Sequence, residues 1–119
     1  MSTSTLVLAI AVFVVLALVW RSVGGGGANS NTVHDKIKAG ALVVDVRTPA
    51  EFASEAYPGA TNIPLSELGT RLDKLGDRKR AIVVYCRSGS RSGQAKAILE
   101  KNGFADVTNG GGLASMPAR

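Results

Sequence analysis

Ala81-Ile82-Val83-Val84-Tyr85-Cys86-Arg87-Ser88-Gly89-Ser90-Arg91-Ser92-Gly93-Gln94-Ala95 is the stretch from which the rest of the chain can be read. Its first five residues form an apolar, largely β-branched run without alternation, as expected of a strand covered on both faces of a parallel sheet. From Ser90 to Asn102 the pattern turns helical, with Ala95, Ile98 and Leu99 on one face and Gly103 beyond the end. Strand, short polar loop and helix in that order are half of a β-α-β unit. Cys86 stands at the carboxyl end of the strand, where open α/β sheets bind ligands.

Working outward, Ala41-Leu42-Val43-Val44-Asp45-Val46 repeats the buried-strand signature. Between the two strands, Pro49 to Ala56 suits a short helix with proline at its first position. Glu67 to Leu75 suits a second, with Leu68, Leu72 and Leu75 at helical spacing. Upstream, Thr32 is placed to cap a helix that stops at Gly40, with Asp35 three residues after the cap. Downstream, Ala105-Asp106-Val107-Thr108 reads as a short strand. Alternating strands and helices without an internal repeat predict an α/β fold, a small parallel β-sheet flanked by helices.

The loop carries the chemistry. A cysteine just before a helix start faces unsatisfied backbone N–H groups, which favour its thiolate and any approaching anion. Gly89 permits backbone angles that a side chain forbids, so successive amides can turn inward as an anion nest. Ser88, Ser90 and Ser92 add hydroxyls, and Arg87 and Arg91 add fixed positive charge suited to a small dianion. A strand cysteine with a purely structural role gives no reason for Arg-Ser-Gly-Ser-Arg to follow it.

Composition removes several alternatives. Among 119 residues there are 14 Lys and Arg against 9 Asp and Glu, and every charged residue except Arg21 follows Ser30. The folded part is therefore only mildly basic, and aromatic content of 5% offers no stacking platform, so nucleic acid is not expected as a partner. The cluster Arg78-Lys79-Arg80 sits in a polar turn before a strand and reads as solvated. Cys86 is the sole cysteine and His34 the sole histidine. An intramolecular disulfide, a zinc site and a Cys-His or Ser-His catalytic pair are all excluded, and no metal or cofactor is expected.

The leader stands apart. Leu6 to Trp20 contains no polar or charged side chain, and its fifteen residues make about 22 Å of helix. Flanking residues from Thr5 to Val23 extend it toward the roughly 30 Å of a bilayer core, with Trp20 suited to the interface. Met1 to Thr5 lack the basic segment of a secretory signal, and the first cation, Arg21, follows the run. Residues 1–23 are thus expected to be a transmembrane anchor, a single pass through residues 5–23 with the folded part on the cytoplasmic side. A signal peptide cleaved near Gly24 or Ala28, releasing a periplasmic domain, stays open as the alternative. Residues 24–31 read as a flexible Gly-rich linker, and residues 32–119 as the domain.

Cys86-Arg87-Ser88-Gly89-Ser90-Arg91 resembles the six-residue active loop of the rhodaneses, the thiosulfate sulfurtransferases and related persulfide carriers. Leu42-Val43-Val44-Asp45-Val46-Arg47 resembles the family's early strand, Glu51-Phe52 the acidic-aromatic pair of its next helix, and Pro58-Gly59-Ala60-Thr61-Asn62-Ile63-Pro64 its Gly-Ala-x-Asn-Ile-Pro segment. Ser92 to Leu99 and Asn109-Gly110-Gly111 complete the order, so the resemblance covers roughly Thr32 to Leu113. The single-domain bacterial members are the nearest pattern. Two places depart from it: Glu55-Ala56-Tyr57 stands where the family often has Gly-His-Ile, and Leu113-Ala114-Ser115-Met116 where it often has a tryptophan.

The resemblance implies a sulfurtransferase in which Cys86 is catalytic and carries sulfur as a persulfide. Arg87, Ser88, Gly89, Ser90, Arg91 and Ser92 would bind the substrate, with thiosulfate as donor and cyanide, a thiol or a protein as acceptor. Asp45 and Arg47 would support the loop from beneath, Asp45 pairing with a loop arginine, while Glu51 is expected on the helix surface. A non-catalytic interaction module at the membrane is one alternative, but such modules commonly lose the cysteine. A phosphatase of related fold is another. It would place five residues between cysteine and arginine, whereas Cys86 and Arg91 have four between them.

Overall fold

The computed structural model describes residues 27–118. The leader expected to form the anchor or signal peptide, residues 1–23, lies outside the described residues with the start of the linker. Among the described residues no helix is long and apolar enough to cross a membrane.

Four parallel strands form one sheet in the order β2-β1-β3-β4, with β1 at Leu42–Asp45, β2 at Thr61–Asn62, β3 at Ala81–Cys86 and β4 at Asp106–Gly112. Helix α1 spans Ser30–Lys38, α2 Pro49–Ser54, α3 Leu65–Leu68 and α4 Ser90–Lys101. Short 3₁₀ turns occupy Leu72–Leu75 and Leu113–Ser115. The α/β expectation therefore holds, with the two central strands made of the two apolar runs.

Side chains of β3 alternate between two cores. Ile82, Val84 and Cys86 face the layer holding Leu68, Leu75, Ala95, Leu99 and Phe104, whereas Val83 and Tyr85 face Val33 and Tyr57. Each fully buried aliphatic side chain contributes about 1.5–3 kcal/mol relative to exposure. The bilayered core thus fixes the register of β3, and with it the direction in which Cys86 points.

Local differences from the sequence expectations have simple causes. Helix α1 begins at Ser30 with Asn29 as its cap, the Asn29 side chain accepting from Asn31 N–H at 2.8 Å. Thr32 is therefore inside the helix, and residues 29–31 belong to the domain rather than to the linker. Ala28 N–H donates to Asn109 O at 2.7 Å, so the chain is already pinned to β4 before the helix starts. The single helix expected over Glu67–Leu75 is broken into α3 and a 3₁₀ turn. Gly69 caps α3, and the leucines still bury their faces because Leu68 and Leu75 are both inaccessible. Strand β4 runs past the expected end at Thr108 through three glycines. Strand β2 has only two residues and leaves no periodicity to detect.

Candidate active site

The site is built at the carboxyl ends of β1, β3 and β4. Cys86 ends β3 and is fully buried. The chain then turns through Gly89, at φ +96°, into α4. That angle demands glycine, and it aims the Gly89 N–H back at the cysteine, donating to Sγ at 2.9 Å. Ser92, on the first turn of α4, brings its Oγ to 3.4 Å from the same sulfur.

Burial pushes the Cys86 thiol up, but hydrogen bonding from Ser92, Ser88 and Gly89 outweighs it, so the thiol lies below its ordinary value. Hydrogen bonding within the loop is the main source of the depression. The electropositive cradle is thus made of dipoles aimed at sulfur.

Ser92 is held by a residue that the sequence did not single out as part of the site. Its Oγ lies 2.7 Å from Asn109 Oδ1 and 3.1 Å from Gly89 O, while Asn109 also accepts from Gly111 N–H at 2.9 Å and donates through Nδ2 to Gly89 O at 3.3 Å. The hydroxyl has one proton for three neighbours. When Cys86 is ionised that proton can turn to sulfur, and Gly89 O keeps Asn109 Nδ2 as its donor. The only hint in the sequence was the position of Asn109 before a glycine pair.

The glycines of β4 make room for the loop. A Cβ on Gly112 would overlap the Arg87 carbonyl oxygen, and one on Gly89 would come within 3.4 Å of Gly111 Cα. Backbone packs on backbone here, which explains why β4 ends in glycine.

Arg91 does not meet Asp45. Its guanidinium is paired with Glu51 through two bonds, Nη1 to Oε1 at 2.7 Å and Nη2 to Oε2 at 3.0 Å. Glu51 is thereby a clamp on the active loop rather than a helix-surface residue. It also closes a capping box with Thr48 at the start of α2. Arg91 beside it holds the Glu51 carboxyl at about 2, and the Arg91 pKa is raised in return. A pairing across 40 residues has no local sequence signal.

Asp45 turns instead to Arg47, which donates through Nη2 to Oδ2 at 2.6 Å and through Nε to both carboxylate oxygens at 3.1 Å. Tyr85 OH donates to the same Oδ2 at 2.7 Å and accepts from Tyr57 N–H at 2.9 Å. Burial pushes the Tyr85 phenol up to about 12, so it stays protonated as a donor. Arg47 Nη2 also donates to Glu55 O at 2.6 Å. This network ties β1, β3 and the segment after α2 together beneath the loop. Its pairing satisfies Asp45 completely, leaving no acceptor for a loop arginine. The expected contact between Asp45 and a loop arginine is absent, its place taken by Arg47 and Tyr85. Tyr57, one of the departures noted above, packs edge-on against Tyr85 with ring centroids 6.2 Å apart.

Arg87, Ser88 and Ser90 are exposed at the mouth, whereas Gly89 and Ser92 are buried and Arg91 is about a third exposed. Among the described residues Arg87 has no ion-pair or hydrogen-bond partner, so its charge is available to an incoming anion. Among the described residues there is also no cluster of His, Cys, Asp and Glu able to hold a metal ion.

Residues 29–113 match the family described as the rhodanese-like domain. The thiosulfate sulfurtransferase PspE of Escherichia coli is 44% identical over 74 residues, covering 61% of this chain and 71% of its own length. A sulfurtransferase of Allochromatium vinosum is 43% identical over 68 residues, covering 57% of this chain and 63% of that protein. Among solved structures, an E. coli rhodanese with bound anions superposes with a TM-score of 0.61 at 42% identity, covering 64% of this chain and 93% of that one. The human single-domain sulfurtransferase TSTD1 superposes with a TM-score of 0.63 at 26% identity, covering 72% and 88%. A buried cysteine ringed by loop donors on a parallel sheet, matched over most of the folded chain, means that this protein belongs to the rhodanese-like family.

Proposed function

We propose that this protein is a membrane-tethered thiosulfate sulfurtransferase. The observation that carries the proposal is the Gly89 N–H and Ser92 hydroxyl directed at Cys86 Sγ, which favour an anionic sulfur at that point. The relatives named as sulfurtransferases support the same chemistry.

In the first step the Cys86 thiolate attacks the outer sulfur of thiosulfate. A Cys86–sulfur bond forms, the sulfur–sulfur bond of thiosulfate breaks, and sulfite leaves with its electron pair. Arg87 meets the sulfonate at the mouth, while loop donors take over the negative charge that moves onto the terminal sulfur of the persulfide. In the second step cyanide or a thiolate attacks that terminal sulfur. Electrons of the broken bond return to Cys86, regenerating the thiolate. No proton need be abstracted from Cys86 once it is ionised, so the absence of a histidine base is no obstacle.

We further propose that residues 5–23 anchor the protein in a membrane with its catalytic domain on the cytoplasmic side, on the strength of the apolar run and Arg21.

The test of the activity is turnover of thiosulfate with cyanide, set beside hydrolysis of an aryl phosphate. Sulfur transfer without phosphate hydrolysis is expected, and Cys86→Ser should abolish it. One residue inserted between Ser90 and Arg91 should weaken sulfur transfer sharply, because the ring of inward amides then no longer fits a single sulfur. Phosphate hydrolysis without sulfur uptake would refute the proposal.

A further inference from the structure

We infer that Gly27 and Ala28 are positioning residues of the sulfur site: they strap a bulge of β4 in place, and the bulge in turn holds the donors that keep Cys86 ionised. The inference deepens the reading of Cys86 as the reacting sulfur given under Proposed function and rests on it.

The site depends on a part of β4 that the sheet does not fix by itself. Val84 is paired with Asn109 but Cys86 with Gly112, so three steps of β4 face two of β3. The extra residue makes a bulge, where the ladder is interrupted, and Gly111 takes φ +81° there. The active loop leans on this bulge. A Cβ on Gly89 would come within 3.4 Å of Gly111 Cα, so the two backbones meet directly. The Asn109 side chain meets Ser92 Oγ at 2.7 Å and Gly89 O at 3.3 Å, and Ser92 and Gly89 are the residues whose hydroxyl and N–H face Cys86 Sγ.

Two sets of contacts close in on the bulge. On Gly110, a Cβ would lie 2.7 Å from Met116 Sδ and 3.1 Å from Val83 Cγ1, so the strand has no slack toward those side chains. The other set comes from the chain ahead of α1. Ala28 N–H donates to Asn109 O at 2.7 Å, and a Cβ on Gly27 would lie 2.8 Å from Gly111 N and Cα and 3.1 Å from Gly110 C. Only glycine allows backbone to approach backbone so closely. Because β4 is the last strand of the sheet, no further strand bonds its outer edge, and Ala28 supplies the bond at Asn109.

The bond and the close contact fall on residues 109–111, the same residues that carry the loop. A shift of Asn109 moves the partner of Ser92 Oγ and Gly89 O, and the sulfur then loses aligned donors, which favours the thiol over the thiolate. Sequence reading placed Gly27 and Ala28 in a flexible linker, and they precede the 29–113 stretch that matches the family. Their role comes from tertiary contact alone.

The test uses the full chain with two strap variants. Gly27→Ala adds the methyl group that meets Gly111, and Ala28→Pro removes the N–H and puts a ring carbon in its place. Ala28→Ser keeps the N–H, and Gly69→Ala adds a methyl group where nothing lies within 4 Å, so both should match wild type. The readout is the rate of Cys86 alkylation by iodoacetamide against pH, scaled to its high-pH plateau so that accessibility does not enter. The strap variants should move the profile to higher pH, with about threefold less thiolate at neutral pH, and kcat/KM for thiosulfate should fall in step. Strap variants that lose thermal stability but keep the wild-type profile overturn the inference. Coupling is reciprocal, so a second arm leaves the strap untouched: Cys86→Ala removes the sulfur on which the donors converge and should speed hydrogen exchange of the Ala28 N–H by about threefold. Unchanged exchange overturns the inference even where the strap variants fail to fold. Wild-type protein that takes no sulfur from thiosulfate refutes the proposed function instead, while the alkylation and exchange results still decide the role of the strap.

Discussion

Asn109→Asp changes one side-chain atom and tests how the loop tunes its cysteine. Oδ1 keeps its place as acceptor for Ser92 and Gly111, but Nδ2, which donates to Gly89 O, becomes a second oxygen carrying negative charge. Contacts of 3.4 and 2.7 Å connect Sγ to Oδ1 through the Ser92 hydroxyl, so the two lie no more than about 6 Å apart. At an effective dielectric of about 20, two unit charges at that distance repel by about 2.7 kcal/mol. This corresponds to a roughly hundredfold fall in the ratio of thiolate to thiol. The assay is the rate of Cys86 alkylation by iodoacetamide against pH, with Asn109→Ala as the companion. Alanine orphans the Gly111 N–H at a cost of about 1–3 kcal/mol in urea unfolding, yet adds no charge. The aspartate variant should therefore shift the alkylation profile upward in pH, and the alanine variant much less. Identical profiles for wild type and Asn109→Asp would refute the view that this network sets the state of the sulfur.

Glu51→Gln should lower kcat/KM for thiosulfate by about tenfold, since the end of the loop loses its bidentate clamp while Cys86 stays in place. Stability should respond as well. The depressed Glu51 carboxyl stabilises the fold above its unfolded value of 4.5 and loses that contribution as pH falls through about 2, so acid unfolding of the glutamine variant should lack this component. Gly112→Ala should leave the far-UV circular dichroism native but reduce sulfur transfer by about a hundredfold, because the new methyl group displaces the Arg87 carbonyl and with it the loop. Tyr85→Phe should cost about 1–3 kcal/mol by removing the phenol oxygen between Asp45 and the Tyr57 N–H, with kcat largely retained because Tyr85 faces the other core. The wild-type phenol, raised to about 12, stabilises the fold fully below about 10 and ceases to do so as pH rises through about 12. Alkaline unfolding of the phenylalanine variant, read by circular dichroism, should therefore lack that component.

Much of the architecture can be read from periodicity because β1 and β3 are covered on both sides and consist of continuous apolar runs. Cys86, Gly89 and Ser92 are equally legible, since one loop between a strand and a helix brings them together within seven residues. What escapes reading depends on distance in sequence. Glu51 meets Arg91 across 40 residues, and Asn109 meets Ser92 across 17, so neither contact leaves a local pattern. Asp45 is legible as a carboxylate at the end of a buried strand, but its partner is not. A loop arginine and Arg47 are equivalent as charges, and only the fold shows that Arg47 and Tyr85 satisfy the carboxylate first. The start of α1 is ambiguous in sequence because Asn29, Ser30 and Thr32 are all capping residues. The bond from Ala28 to Asn109, which orders the chain ahead of the helix, is tertiary.

Intact mass spectrometry of the purified protein after incubation with thiosulfate tests the central claim most directly. One added sulfur is predicted, located on Cys86 by peptide mapping, absent from Cys86→Ser and removed by cyanide with formation of thiocyanate. Protein that stays at its original mass under thiosulfate, with Cys86 intact and alkylatable, would contradict the persulfide mechanism.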